Sequence, residues 1–347
     1  MVTPNETSQY KTLHLSSDPA ARRRYMIVDE PIIGNFRFGL LLEDLDVVAE
    51  QTALCYVRRF HSDACVVTAA IDNIIVRHVV DINQDIVIHA RINHIGRSSL
   101  VVGIRVEHPG EPSIHIASCY FTMVARGGEN AEETRLLPPL QYGDELEQLR
   151  ADRANVVREE YRLQQAAELE PPGREEFKLL QDLHSAQEAP GFAGLKAGSL
   201  TVDGWDRMYP EQEYVPHRIF GGYLMRRAYE LSSICSELVA PDRSVIAAVN
   251  RINFFHPVRL GDKLHYTCRV VYTSGSFICV EANIDRISRD RTSKSLSNSC
   301  LFTFVNVDAN LRHRPVPGIH PATYVEDARY LSAYRSHQTM IGHYALL

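Results

Sequence analysis

The chain has 347 residues, 45% of them hydrophobic and 23% charged. At roughly 100–200 residues per domain that length calls for two or three domains, and the composition is that of a soluble globular protein, which excludes disordered, collagenous and disulfide-scaffold classes. A formal net charge of −6 and a pI near 6.2 give no electrostatic footprint for nucleic acid and leave room only for a local basic pocket.

The N-terminal stretch lacks the apolar core of a secretory signal, and no apolar run approaches the ~20 residues that span a bilayer. Arg22, Arg23 and Arg24 form a short basic cluster. A strand is expected over Lys11–Leu15. Phe38-Gly39 then opens an amphipathic helix that runs to about Arg59. The blocks Thr68–Val80, Asp85–Glu107 and Ser118–Thr122 follow, rich in Val, Ile and Phe and broken at 96–99, and they read as antiparallel strands. From Asp144 to Glu188 the chain is charged, Gln-rich and helix-prone, which reads as a linker crossing the surface. A strand at Ser199–Val202 and a Gly221-Gly222 helix start begin the pattern again. The tail holds Pro315, Pro317 and Pro321 and a helix-like run near Val325–Arg335. The seven cysteines are scattered and form no Cys-x-x-Cys pair, so reduced thiols are expected.

This is a duplication. Thr68–Val80 matches Ile246–Val258 at a constant offset of 178 residues, pairing Asp72 with Asn250 and His78 with His256. Asp85–Glu107 faces Gly261–Ile284, and Ser118–Thr122 answers Ser299–Thr303. Each copy is a strand, one long helix and about four antiparallel strands, an α+β architecture. In the second helix Leu224, Ala228, Leu231, Cys235 and Leu238 form one apolar stripe, which must be buried on the concave face of its own sheet. The expected division is a first domain over 1–143, a linker over 144–195, a second domain over 196–310 and a tail over 311–347.

A helix wrapped by a sheet, duplicated and entered through Gly-Gly, resembles the hotdog fold. The segments His217–Leu231 and Arg37–Ala49 look like the helix entry of acyl-coenzyme A thioesterases, and Val249–Asp262 and Phe302–Asp308 fit the same family. The likeness covers most of the chain and is strongest to the mitochondrial double-hotdog, acyl-CoA thioesterase 9-like type. It implies tandem hotdogs forming an intramolecular pair, hydrolysis of acyl-CoA to fatty acid and CoA, and further assembly of copies such as a trimer of double hotdogs. It implies a mitochondrial location, with cytosol as the alternative. It implies no cofactor beyond the coenzyme A of the substrate. No metal-ligand spacing, Ser nucleophile elbow or Cys–His signature occurs.

The chemistry needs little machinery. A thioester is an activated acyl donor, so a carboxylate to activate water or attack and donors for the oxyanion suffice. Glycines at a helix start let the backbone approach closely, and the helix N-terminus leaves N–H groups unpaired. In the resembling family the acid sits seven residues after the last glycine. From Gly39 this is Asp46, whereas from Gly222 it is Tyr229, with Glu230 one place late. The resemblance therefore implies one competent site, with Asp46 of the first copy opposite Gly221, Gly222 and His217 of the second. A second half-site of Asn35, Gly39 and Glu230 is degenerate. Glu43 and Asp44 are the other acids near Asp46. Arg97, Ser98 and Ser99 form a turn that relatives use near coenzyme A, and a plain hairpin turn explains them equally well. Two other functions stay open on sequence grounds: an acyl-CoA sensor without turnover, and a hotdog enoyl-CoA hydratase.

Overall fold

The structure, a computed structural model, describes residues 2–72, 74–128, 133–167, 170–215, 218–219 and 221–345. The first copy comprises β1 (Gln9–Leu13), α1 (Pro19–Tyr25), α2 (Phe38–Val57), β2 (Cys65–Ile71), β3 (Ile74–Val76), β4 (Ile86–Ile95), β5 (Ser99–His108), β6 (Ile114–Gly127) and β7 (Glu133–Thr134). Helices α3 (Glu145–Ala167) and α4 (Arg174–Glu188) and strand β8 (Leu195–Lys196) come next. The second copy has β9 (Thr201–Arg207), β10 (Glu213–Val215), β11 (Arg218–Ile219), α5 (Gly221–Ser236), β12 (Arg243–Phe254), β13 (Lys263–Ser274), β14 (Phe277–Ile287), β15 (Lys294–Val307), β16 (Ile319–His320) and α6 (Tyr324–Ala345).

Both copies contribute to one twelve-stranded sheet, ordered β1-β4-β5-β6-β2-β12-β15-β14-β13-β9, with β3 and β7 beside the main path. The seam between copies is antiparallel: Ile71 opposes Ile252, and Ile74 opposes Val249. The sheet curls around α2 and α5, which pack against each other on its concave side. This is the tandem hotdog arrangement. The strands alternate as an enclosed sheet requires, with Ile86, Ile88, Ala90 and Ile92 of β4 all buried.

Leucine and alanine make α2 a good helix, and its sides are almost completely enclosed. Leu41, Leu42 and Leu45 are inaccessible to solvent, and Ala49 and Ala53 let neighbours approach. Full burial of a leucine is worth about 1.5–3 kcal/mol. Replacing Leu45 by Ala would add a cavity and cost about 2–5 kcal/mol. The two helices meet at Gly39, where a methyl group would lie 3.3 Å from the carbonyl oxygen of Arg226.

The repeat extends further than its strands and central helix. Helix α3 opens the segment whose composition reads as a linker, yet it packs on β4 much as α6 packs on β13. Glu147 in its first turn accepts backbone N–H bonds from Gly143 at 2.6 Å and Asn5 at 3.0 Å. Glu326, 179 residues later, accepts the N–H of Ala322 at 2.6 Å. Each copy's part of the sheet is therefore backed by an outer helix tied down through the equivalent glutamate. Beyond α3, α4 and the adjoining segment connect the copies. Helix α6 is longer than the tail pattern suggests, and Tyr330 and Tyr334 pack on Tyr272.

Candidate active site

Asp46 sits two turns into α2 on the side facing α5, and it is only 2% exposed. One carboxylate oxygen accepts the Thr68 hydroxyl at 2.6 Å. The carboxylate also accepts the backbone N–H of Gly222, at the start of α5. A methyl group on Gly221 would lie 3.3 Å from Asp46 Oδ2 and 3.3 Å from the Phe254 ring. The carboxylate of the first copy thus touches the helix entry of the second, where unpaired N–H groups and the positive dipole end favour negative charge.

Burial raises the Asp46 pKa to about 6, against the opposing pull of the Thr68 and Gly222 hydrogen bonds, and the charge of Glu43 adds to the rise. A carboxylate with a pKa near the working pH is suited to receive a proton and return it. The neighbouring acids are committed elsewhere. Glu43 pairs with Arg226 at 3.0 Å, and Asp44 pairs with Lys11 at 2.6 Å and accepts the Tyr25 hydroxyl.

Thr68 was not singled out by the motif, although a signal for it existed. At the 178-residue offset its counterpart is Ile246, a polar residue facing an apolar one in otherwise similar strands. Met123 lies beside it, with its sulfur 3.5 Å from the Thr68 hydroxyl. A bulge between Thr68 and Ala70 in the pairing with β6 marks the same point.

The second half-site is built differently. Tyr229 occupies the place that Asp46 holds in the first: a methyl group on Gly39 would lie 3.1 Å from its ring. Its ring packs on Phe38, Phe302 and Phe304 with centroids 5.6–5.8 Å apart. Glu230 is held by Arg37 at 2.9 Å, Arg227 at 2.8 Å and Arg226 at 3.3 Å. Burial opposes its charge, but these arginines outweigh that and keep its pKa below the ordinary value. Asn35 is fully engaged with backbone. Its side chain accepts the N–H groups of Ile27 and Val28 and donates to the carbonyls of Val28 and Glu30, which clamps the loop before α2. Asn35 and Glu230 are thus each held by partners of their own, and Gly39 lies against Tyr229 and the stem of Arg226.

His217 lies outside the described residues. Arg97, Ser98 and Ser99 form the turn between β4 and β5, closed by a bond from the Gly96 N–H to the Ser99 carbonyl at 2.8 Å. Leu100, Met123 and Thr68 lie in one row across β5, β6 and β2, so the turn stands about two strand spacings, roughly 10 Å, from Thr68. The Arg97 side chain is exposed. His78 and His256 make the same bond in each copy, to the carbonyls of His115 at 2.7 Å and Leu296 at 2.9 Å.

A model of the thioesterase superfamily matches residues 47–114 and 217–292, one stretch in each copy. The mitochondrial acyl-coenzyme A thioesterase 10 of Mus musculus is 26% identical, covering 94% of this chain and 76% of that protein. The mitochondrial acyl-coenzyme A thioesterase 9 of Homo sapiens is 27% identical over 95% of this chain and 76% of its own. Among solved structures, a putative oleoyl thioesterase from Lactobacillus plantarum superposes with a TM-score of 0.51 over 86% of this chain and 95% of its own. At 7% identity that likeness is one of fold.

Proposed function

We propose that this chain, whose two copies belong to the thioesterase superfamily, hydrolyses acyl-coenzyme A to a fatty acid and free coenzyme A. The observation that carries the reading is the buried Asp46 carboxylate, held by Thr68 and by the Gly222 N–H of the opposite copy. Asp46 acts as the general base. It takes a proton from a water molecule as that water attacks the thioester carbonyl. Its negative charge falls as it does so, and its hold on the Gly222 N–H weakens. That donor, with the other unpaired N–H groups of the first turn of α5, then stabilises the oxyanion. Collapse of the tetrahedral intermediate breaks the carbon–sulfur bond, and the proton on Asp46 passes to the leaving thiolate. Gly221 keeps the entry open for the carbonyl. His217 borders the same entry in sequence and is assigned a supporting role at the thioester. The turn of Arg97, Ser98 and Ser99 offers a cation and hydroxyls to the phosphates of coenzyme A. The second half-site does not turn over substrate.

The enzyme works as a homo-oligomer of double hotdogs in mitochondria, as the names of its relatives suggest for the location. Among the described residues no helix is long and apolar enough to cross a membrane. The deciding measurement is thiol release from short- to long-chain acyl-CoAs by the native protein and by Asp46→Asn. Release by the native protein alone supports the reading. Release by neither overturns the activity, and equal release by both overturns the site.

A further inference from the structure

The outer face of the sheet carries another difference between the copies. In the first copy a cavity of about 450 Å³ lies by α3, walled in part by Arg91, Asn93 and Arg105 of the sheet, Tyr120, and Arg150 of α3. By α6 in the second copy the cavity is only about 140 Å³, and its walls include Arg269 and Arg329. These arginines correspond. Arg91 and Arg269 are 178 residues apart, and Arg150 and Arg329 are 179 apart. In each copy a strand arginine and a helix arginine repel one another, and burial together with that repulsion holds the strand guanidinium below its ordinary pKa.

What separates the copies is the residue between them. In the second copy Glu281 reaches Arg329 Nε at 3.1 Å, and its charge also favours that of Arg269. At the 178-residue offset the first copy has Gly103. Among the described residues neither Arg91 nor Arg150 has a carboxylate partner at ion-pair distance. Arg91 bonds only to neutral amides, Asn93 at 3.2 Å and Asn5 at 3.3 Å. Glu147 and Asp144 lie near enough for their charge to favour that of Arg91, but neither pairs with it directly. Glu147 takes the N–H groups of Gly143 and Asn5, Asp144 takes that of Glu147 at 2.7 Å, and Glu107 takes Arg105 at 2.6 Å and faces His89 at 3.4 Å.

We propose that this cavity binds a small dianion, a phosphate monoester or a dicarboxylate, between Arg91 and Arg150. Two guanidinium groups without an ion-pair partner match two negative charges, and their planar forks suit oxyanions. The volume lies within the roughly 300–1,000 Å³ of small-molecule sites. In the second copy Glu281 is in effect a tethered ligand for the same arginine pair; at Gly103 that carboxylate is missing and the neutral Asn93 amide lies over the glycine, so the pair has no ion-pair partner of its own and is left to a diffusible anion. The inference does not depend on the thioesterase reading.

The test is calorimetric titration of the full chain with inorganic phosphate and, separately, with succinate at low ionic strength. Native protein, Arg150→Gln, Gly103→Glu and Arg329→Gln are compared. We expect saturable binding of at least one probe to native protein. Arg150→Gln weakens it about tenfold or more. Gly103→Glu abolishes it, and Arg329→Gln leaves it unchanged. The tighter probe identifies phosphate ester or dicarboxylate as the source. Gly103→Glu forces the Asn93 side chain aside, because a methyl group there would lie 2.2 Å from Asn93 Nδ2. Arg150→Gln, on the outer helix, keeps the test valid if that variant fails to fold, and circular dichroism checks each protein. Absence of saturable binding to native protein overturns the proposal. So does binding that Arg150→Gln leaves intact, or that Arg329→Gln weakens equally.

Discussion

At the start of α5 the chain meets a carboxylate held by a threonine; at the start of α2, related by duplication, it meets an aromatic ring. Asp46, Thr68 and Gly221 at one position stand against Tyr229, Ile246 and Phe38 at the other. Every polar component of the first arrangement has an apolar or aromatic counterpart in the second, and the residual acid, Glu230, is enclosed by three arginines. A buried carboxylate raised to a pKa of about 6 carries a cost. From an ordinary value near 3.8 that rise is worth about 3 kcal/mol at neutral pH. One half of the duplicate bears that cost. The other has become core, with Tyr229 packed among Phe38, Phe302 and Phe304. Duplication thus separates the two demands, and each half-site can be disturbed on its own terms.

The largest effect belongs to Asp46→Asn. Loss of the base should lower kcat for acyl-CoA hydrolysis by about 10²–10⁴-fold. The same change should raise stability, because the amide keeps the shape without the buried charge: its oxygen can accept the Gly222 N–H, and its NH2 can donate to the Thr68 hydroxyl oxygen once that hydroxyl turns. A gain of about 1–2 kcal/mol is expected by denaturant melts at pH 7.5. The sign follows from the raised pKa. Between about 3.8 and 6 the folded state binds more protons than the unfolded, so the native protein loses this stability as pH rises through about 6. A variant that is both inactive and less stable would mean that Asp46 is structural.

Gly221→Ala comes next. The methyl group has to push back Asp46 Oδ2 or Phe254, both 3.3 Å away. A fall in kcat of about 10–100-fold is expected, whereas Gly39→Ala, which presses on Tyr229 and the stem of Arg226, should leave the rate alone. Steady-state kinetics on the two variants compare the helix entries directly.

The pH profile gives a smaller effect. Activity should decline below pH about 6, where Asp46 becomes protonated. Thr68→Val removes a hydrogen bond that favours the ionised form, so the acid limb of kcat/KM should move to higher pH and the rate at pH 7 should fall about three- to tenfold. Asp72, raised by burial to about 7, titrates in the same range but lies outside the site. It should affect melting temperature and leave the kinetic limb in place. A limb that does not move in Thr68→Val would remove Thr68 from the site.

The parts of this arrangement differ in how well they could be read from residues alone. That Asp46 lies against the Gly221-Gly222 helix entry was legible through the family resemblance, which sets an acid seven residues after the last glycine and faces it to the entry of the other copy. Thr68 was not, because a single hydroxyl on a strand has no local pattern and shows only when the copies are laid side by side. Glu230 misleads for a geometric reason. One residue along a helix is a rotation of about 100°, which turns the acid away from Gly39 and into an arginine cluster, while Tyr229 takes the inward position. The outer helix α3 was hidden for another reason. It repeats α6 in few positions, Glu147, Arg150, Ala154 and Ala166 against Glu326, Arg329, Ala333 and Ala345, and the charged surface around those positions has the composition of a linker.

The smallest expected effect is the most exacting test of the comparison. Tyr229→Phe keeps the ring and removes only a hydroxyl, so packing on Phe38, Phe302 and Phe304 persists. Stability should change by less than about 1 kcal/mol, and thiol release should be unchanged. Glu230→Gln provides the control beside it. It deprives three arginines of their carboxylate and should cost about 1–3 kcal/mol of stability, again with the rate unaltered. If the second half-site took part in turnover, Tyr229→Phe would alter kcat while melting stayed the same, because the hydroxyl contributes chemistry and not volume. A kinetic effect without a stability effect at Tyr229 would therefore mean that both helix entries work, and that the duplication has preserved two sites of different chemistry.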